Sequence, residues 1–175
     1  MSQYTWMKSF FKAKGFNAHF VPIHWDRKVM SDYVVEFEEY YVKHKTEKNY
    51  VLGFSFGAMI AFISAQQLQP DRLYLCSLSP YFKEDLHTLK SYWRKFIGKN
   101  RVQDFKKVSA KQIATQVKIP ITIFYGGAEA KKYPQLKVRC EKTSKDIKNA
   151  KLVFVKDAPH QLNHPNYIEA IKKQF

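Results

Sequence analysis

Val51-Leu52-Gly53-Phe54-Ser55-Phe56-Gly57-Ala58-Met59 is the stretch that decides the fold. Apolar residues lead into a serine bracketed by Gly53 and Gly57, and small and apolar residues lead out of it. The pattern reads as a buried strand, a tight turn with Ser55 at its apex, and a helix. At Gly-x-Ser-x-Gly spacing the strand and helix backbones nearly touch, which calls for small residues on both sides. A serine at that apex stands at a helix N-terminus, where unpaired backbone N–H groups and the helix dipole favour developing negative charge. Two readings follow: a nucleophilic serine, or a glycine-flanked serine in an ordinary strand–helix turn. The motif alone does not separate them.

Working outward, the chain alternates between two periodicities. Upstream, Trp6, Met7, Phe10 and Phe11 recur at helical spacing over residues 3–14, and Gly15 is placed to end that helix. Residues 17–21 read as a strand stopped by Pro22. A loop follows over 23–30, and Ser31 is placed to cap a helix from Asp32 to about Lys45. Downstream of the turn, a helix over 56–68 leads to a short, almost wholly apolar strand at 73–78, as expected for a parallel strand covered on both faces. Residues 80–118 are basic, aromatic and helix-like, with a capping-box start at Ser109. A strand at 121–125 closes on Gly126-Gly127, and Pro134 opens a helix to about Lys148. The last strand, 152–155, is followed by a loop and a helix from Pro165 to Phe175. The expectation is an α/β fold in one domain over 1–175: a mostly parallel sheet of about five strands with helices on both faces.

A serine hydroxyl needs a histidine to take its proton and a carboxylate to orient that histidine. In a parallel α/β sheet these groups come from loops at the C-terminal ends of strands. Gly126-Gly127-Ala128-Glu129 follows one such strand, and Asp157-Ala158-Pro159-His160-Gln161 follows the next. The chain order is serine, acid, histidine. The plainer reading of His160 is a capped or packed loop histidine, and Glu129 is followed by Ala130-Lys131-Lys132, an untypical continuation for a catalytic acid. Glu84 or Asp85, after strand 73–78, is the alternative acid. Asp157 lies too near His160 and reads as a loop-shaping residue. His164, beside Pro165, reads as opening the last helix. His19, His24, His44 and His87 read as surface or packing residues.

With these segments in view, the chain resembles the α/β-hydrolases. The resemblance rests on Gly53-Phe54-Ser55-Phe56-Gly57, on Gly126 to Glu129, and on the closing Ala-Pro-His…His-Pro…Tyr-Ile…Ile, and covers nearly the whole sequence. It implies Ser55 as nucleophile, His160 as general base, Glu129 as the acid that orients it, and the Phe56 N–H as an oxyanion donor. It also implies a small helical cap over 80–118 whose aromatics line an acyl pocket, a small-molecule acyl substrate, and no metal or cofactor. The family pattern further places an apolar strand and an oxyanion loop upstream of the first helix. That strand would lie between 17–21 and 49–53. The expectation is an N-terminally shortened version of a longer protein; a direct pairing of 17–21 with 49–53, or a strand supplied by another chain, are the alternatives.

Bulk properties narrow the classes. The sequence has 175 residues, 45% hydrophobic and 16% aromatic, which suits one globular domain and excludes a disordered chain. No apolar run approaches a membrane span, and the N-terminus lacks a signal-peptide layout. Cys76 and Cys140 are far apart, and two idle thiols in a reducing cytoplasm fit better than a disulfide. Net charge is +15, with 21 Lys/Arg against 8 Asp/Glu in residues 83–175. No nucleic-acid motif accompanies these cations, so a solvated basic face is the first reading, with nucleic acid, an anionic membrane or an acidic partner as alternatives. The function expected is a serine hydrolase of esters or related acyl bonds. The alternative is a weak or inactive hydrolase-fold protein holding an anionic partner on its basic C-terminal half. Substrate identity and oligomeric state are not specified.

Overall fold

A computed structural model describes residues 4–26 and 28–175. Its centre is a parallel sheet of four strands: β1 (Tyr50–Phe54), β2 (Arg72–Cys76), β3 (Ile121–Gly126) and β4 (Ala150–Val155), in that spatial order. Nine helices accompany them among the described residues: α1 (Thr5–Ala13), α2 (Met30–His44), α3 (Phe56–Leu68), α4 (Ser91–Ile97), α5 (Lys99–Phe105), α6 (Ala110–Gln116), α7 (Gly127–Lys132), α8 (Pro134–Asp146) and α9 (Pro165–Lys172). Every strand-to-strand connection carries at least one helix, as parallel pairing requires.

Alternation along the strands divides the core into two layers. Leu73 and Leu75 of β2 and Ile121, Ile123 and Tyr125 of β3 face one way, into a cluster with α2, α3, α6 and α8. Tyr74, Cys76 and Phe124 face the other way, against Met7 of α1 and Tyr167 and Ile171 of α9. Residues i and i+2 of a strand share a face, so the near-continuous apolar runs of β2 and β3 supply both layers at once. Helix α3 is apolar all round, and eight of its residues, Ala58 to Ala65, are buried between the sheet and α2.

The expected fifth strand, 17–21, is not a strand. Phe20 reaches the α1–α9 layer beside Leu52 and Phe54, while Val21 and Ile23 reach the other layer. The alternation is therefore used for packing, but no strand ladder is formed there. A strand needs a neighbouring ladder for its N–H and C=O groups, and among the described residues none pairs with β1 on the side away from β2. Direct pairing of 17–21 with 49–53 is therefore not what the structure shows.

Helix boundaries shift for local reasons. Gly15, at φ +82, closes α1 by donating its N–H to Lys12 O; residue 3 of the expected helix lies outside the described residues, as does Arg27 of the expected loop. Helix α2 starts at Met30, not Asp32, because the Asp32 carboxylate accepts the Val29 N–H and acts as the cap. Ser31 sits inside the first turn and donates both its N–H and its hydroxyl to Asp104 of α5. Ser109 does cap α6, accepting the Gln112 N–H. Helix α7, which carries Glu129, was not expected: six residues after two glycines show no period.

Candidate active site

The C-terminal ends of β1, β3 and β4 bring Ser55, Glu129 and His160 together. Ser55 directly follows β1 and precedes α3, with φ 57 and ψ −120, a conformation that L-residues rarely adopt. It is held at both ends: its N–H donates to Cys76 O at 2.9 Å, and its carbonyl accepts the N–H groups of Ala58 and Met59. A Cβ on Gly53 would stand 2.3 Å from Gly57 O and 2.6 Å from the Ala58 Cα, so this glycine is sterically required. A Cβ on Gly57 would meet nothing within 4 Å. The expectation that both glycines are needed for clearance therefore holds for Gly53 alone; Gly57 contributes the backbone that Gly53 must clear. Phe56 opens α3, and the geometry of a helix leaves its N–H without an intrahelical acceptor.

His160 lies five residues beyond β4. Its Nε2 is 3.0 Å from the Ser55 hydroxyl and its Nδ1 is 2.8 Å from Glu129 Oε2. A carboxylate only accepts, so Nδ1 carries the proton and Nε2 is left to accept from Ser55. The imidazole is one-third exposed, packs at 4.7 Å against the Phe54 ring, and faces Tyr133 on its other side. The Ser79 hydroxyl lies 3.4 Å from that of Ser55, a second polar neighbour for the serine.

Glu129 is fully buried, with four kinds of donor around its carboxylate. The Gly126 N–H donates at 2.6 Å, His160 at 2.8 Å and the Tyr167 hydroxyl at 2.8 Å, while the Ser77 hydroxyl stands 2.8 and 2.9 Å from the two oxygens. Ser77 and Tyr167 are themselves 2.6 Å apart. Two hydroxyl protons serve these contacts: both go to Glu129, or one hydroxyl donates to the other and that one to Glu129. Either arrangement compensates a buried negative charge, which would otherwise be expensive. Burial, and then the charge of Glu129, push the Tyr167 phenol far above its usual value, so it remains a donor. The same two causes raise the Cys76 thiol. Carboxylate and histidine are also tied through the backbone, since the N–H groups of Ala128 and Glu129 both donate to Ala158 O. A Cβ on Gly126 would lie 2.2 Å from that oxygen, which explains glycine there.

The remaining sequence candidates lie elsewhere. Glu84 accepts from Ser109 and from the N–H groups of Ala110 and Lys111, and Asp85 forms a buried two-point pair with Arg139 at 2.8 and 2.5 Å. Both alternative acids are therefore committed away from His160. Asp157, exposed at φ 54, shapes the loop, and His164 caps α9 by accepting the Asn166 N–H. His24 pairs with Glu36, and His19 packs against His44. Ser77 and Ser79 escaped the sequence reading, and Tyr167 entered it as part of the closing segment without a role at the site. The two serines carried one usable signal, their position just beyond an apolar strand; Tyr167 carried none, because its ring follows the ordinary helical pattern of α9.

Beside Ser55 stands an aromatic wall. Phe56 and Tyr81 stack at 5.2 Å with 7° between their planes, and Phe105 lies 5.6 Å from Tyr81. A depression of about 500 Å³ lined by Tyr41, Lys45, Asn49 and Asp71 lies at the other end of the sheet and contains none of the three residues. Among the described residues, no group of three or more His, Cys, Asp or Glu is arranged to hold a metal, and no helix is long and apolar enough to cross a membrane.

No family model and no curated protein sequence matches the chain. Its fold, however, is that of solved α/β-hydrolases. Alpha/beta hydrolase domain-containing protein 10 from mouse superposes with a TM-score of 0.78 at 10% identity, over 98% of this chain and 81% of that one. An α/β-hydrolase enzyme from the metagenome of lagoon sediments at Mar Chica, Morocco, gives 0.69 at 14% identity, over 99% and 84%. Est1E from Butyrivibrio proteoclasticus gives 0.65 at 17% identity, over 84% and 68%. At these identities the likeness concerns the fold.

Proposed function

We propose that this α/β-hydrolase fold is a serine hydrolase that cleaves a carboxylic ester or related acyl bond. The observation that carries the reading is the unbroken chain from the Ser55 hydroxyl through His160 to the buried carboxylate of Glu129, at 3.0 and 2.8 Å. Ser55 Oγ attacks the carbonyl carbon as its proton passes to His160 Nε2. The developing oxyanion is stabilised by the Phe56 N–H and the N-terminus of α3. Glu129 holds the imidazolium, which then protonates the leaving group and gives an acyl-serine. A water attacks this ester, with His160 taking its proton and returning it to Ser55. These steps draw on no metal or cofactor.

The stacked Phe56 and Tyr81, backed by the buried Phe105, favour an apolar or aromatic acyl group beside the serine. One of the structural neighbours, Est1E, has been solved with ferulic acid bound. Helices α4 to α6 then serve as the small cap of a single domain. Two buried, unpaired thiols support a reducing, cytoplasmic setting.

A fluorophosphonate probe tests the reading. Labelling of the wild-type chain that is lost in Ser55→Ala and His160→Ala supports it. A folded wild-type chain that takes up no label would sink it.

A further inference from the structure

The insertion between β2 and β3 has a one-sided charge distribution. Residues 80–118 carry ten Lys/Arg and three acids, Glu84, Asp85 and Asp104. All three acids are already engaged, two by the body of the protein and one within the insertion itself. Glu84 caps α6, Asp85 is buried against Arg139, and Asp104, 4% exposed, holds Ser31 of α2. Lys83, Lys90, Lys95, Lys99, Lys106 and Lys107 are instead exposed. Lys107 reaches Asp104 at 3.7 Å across the edge of this face. Between residues 86 and 103 there is no acid at all, against five Lys/Arg.

The same surface carries apolar side chains that the core does not use. Helix α4 leaves Tyr92 59% and Phe96 79% exposed, and Phe96 is the most exposed large apolar residue described. Four residues apart on a helix, the two share one face. Trp93 lies between them, partly buried against the main core, with Phe96 edge-on to it at 80°. Phe96 stands next to Lys95 and three residues before Lys99, where the chain passes through Gly98 from α4 to α5.

We infer that the outer face of this insertion docks on an anionic lipid bilayer. Tyr92 and Phe96 enter the headgroup–acyl boundary, and Lys90, Lys95 and Lys99 meet the negative headgroups. Both halves of the surface are matched by that partner: positive charge by anionic lipid, exposed rings by the apolar layer beneath. A single-stranded nucleic acid matches the charge, but it stacks on ring faces displayed in succession. Here Trp93 is engaged with the core and Phe96 meets it edge-on. The inference stands apart from the chemistry at Ser55.

Sedimentation of the full chain with phosphatidylcholine vesicles, with and without phosphatidylserine, reads it out. Binding is expected to the phosphatidylserine vesicles at low ionic strength and to weaken in high salt. Each lysine substitution, Lys95→Ala or Lys99→Ala, is expected to weaken it about fivefold. Phe96→Ser is expected to weaken it about tenfold. All three side chains are exposed, so the variants retain the fold, which circular dichroism checks. No binding at low ionic strength overturns the inference. So does binding that Tyr92→Ser and Phe96→Ser leave unchanged, because charge alone would then account for it. Displacement from vesicles by poly(U), with the same dependence on Phe96, would make the surface a nucleic-acid site instead.

Discussion

The two sides of Ser55 are built differently. On the β2–β3 side both strands are paired along both edges, their apolar side chains are buried, and the carboxylate beside them is held several times over, drawing on Gly126, Ser77, Tyr167 and His160. On the far side of β1, segment 16–25 packs through Phe20, Val21 and Ile23 without a ladder. The contrast separates the side that carries Glu129 and His160, held by hydrogen bonds to the strands and to α9, from the flank of β1, where packing alone holds the chain. Hydrogen bonding supplies direction, apolar packing does not, and an active site needs direction to within fractions of an ångström.

Substitutions on the two sides sharpen this contrast. The largest effect is expected from Glu129→Gln, which keeps the shape but removes the charge and disturbs the His160 tautomer; kcat/KM for an ester substrate should fall by about ten thousandfold. Gly126→Ala comes next, since its Cβ would meet the backbone oxygen of Ala158 at 2.2 Å. A stability loss of about 3 kcal/mol is expected in denaturant titrations. Tyr167→Phe keeps the ring and removes one donor to a buried charge, so the rate should fall about ten- to a hundredfold. A rate unchanged in Tyr167→Phe would reduce Tyr167 to a packing residue.

On the far side of β1 the expected effects are smaller. Amide hydrogens of 17–21 should exchange orders of magnitude faster than those of β2 and β3, because no ladder protects them. The mildest signature belongs to the other side of β1, to the two buried thiols of β2 and α8. Burial first, then neighbouring charge, raises both, that of Cys140 to about 12. A raised folded value means that the folded state holds the proton more tightly. The stabilisation is therefore complete below the ordinary value of 9.0 and is lost progressively as pH climbs toward 12. Denaturant midpoints should decline over that interval, and less so in Cys140→Ala.

Much of the site was legible because its members occupy positions that chain direction dictates. Ser55, Glu129 and His160 each follow an apolar strand, and parallel topology collects such positions at one end of the sheet. The surrounding groups were less legible for a physical reason. Ser77 and Tyr167 are 90 residues apart, and nothing in either local pattern records that both will approach one carboxylate. The expected strand at 17–21 failed for the complementary reason: period-two alternation marks which side chains face which layer, but whether a ladder forms depends on the neighbouring backbone.

The sequence by itself determined the α/β alternation, the direction of the sheet, and the turn that lifts Ser55 out of it, because these follow from local periodicity and from glycine at 53. Tertiary structure alone decided which acid serves the histidine. Glu84, Asp85 and Glu129 were all eligible by type and position. Arg139 and the N-terminus of α6 claimed two of them, and the third was left buried beside His160, where its charge is compensated by hydroxyls from β2 and α9.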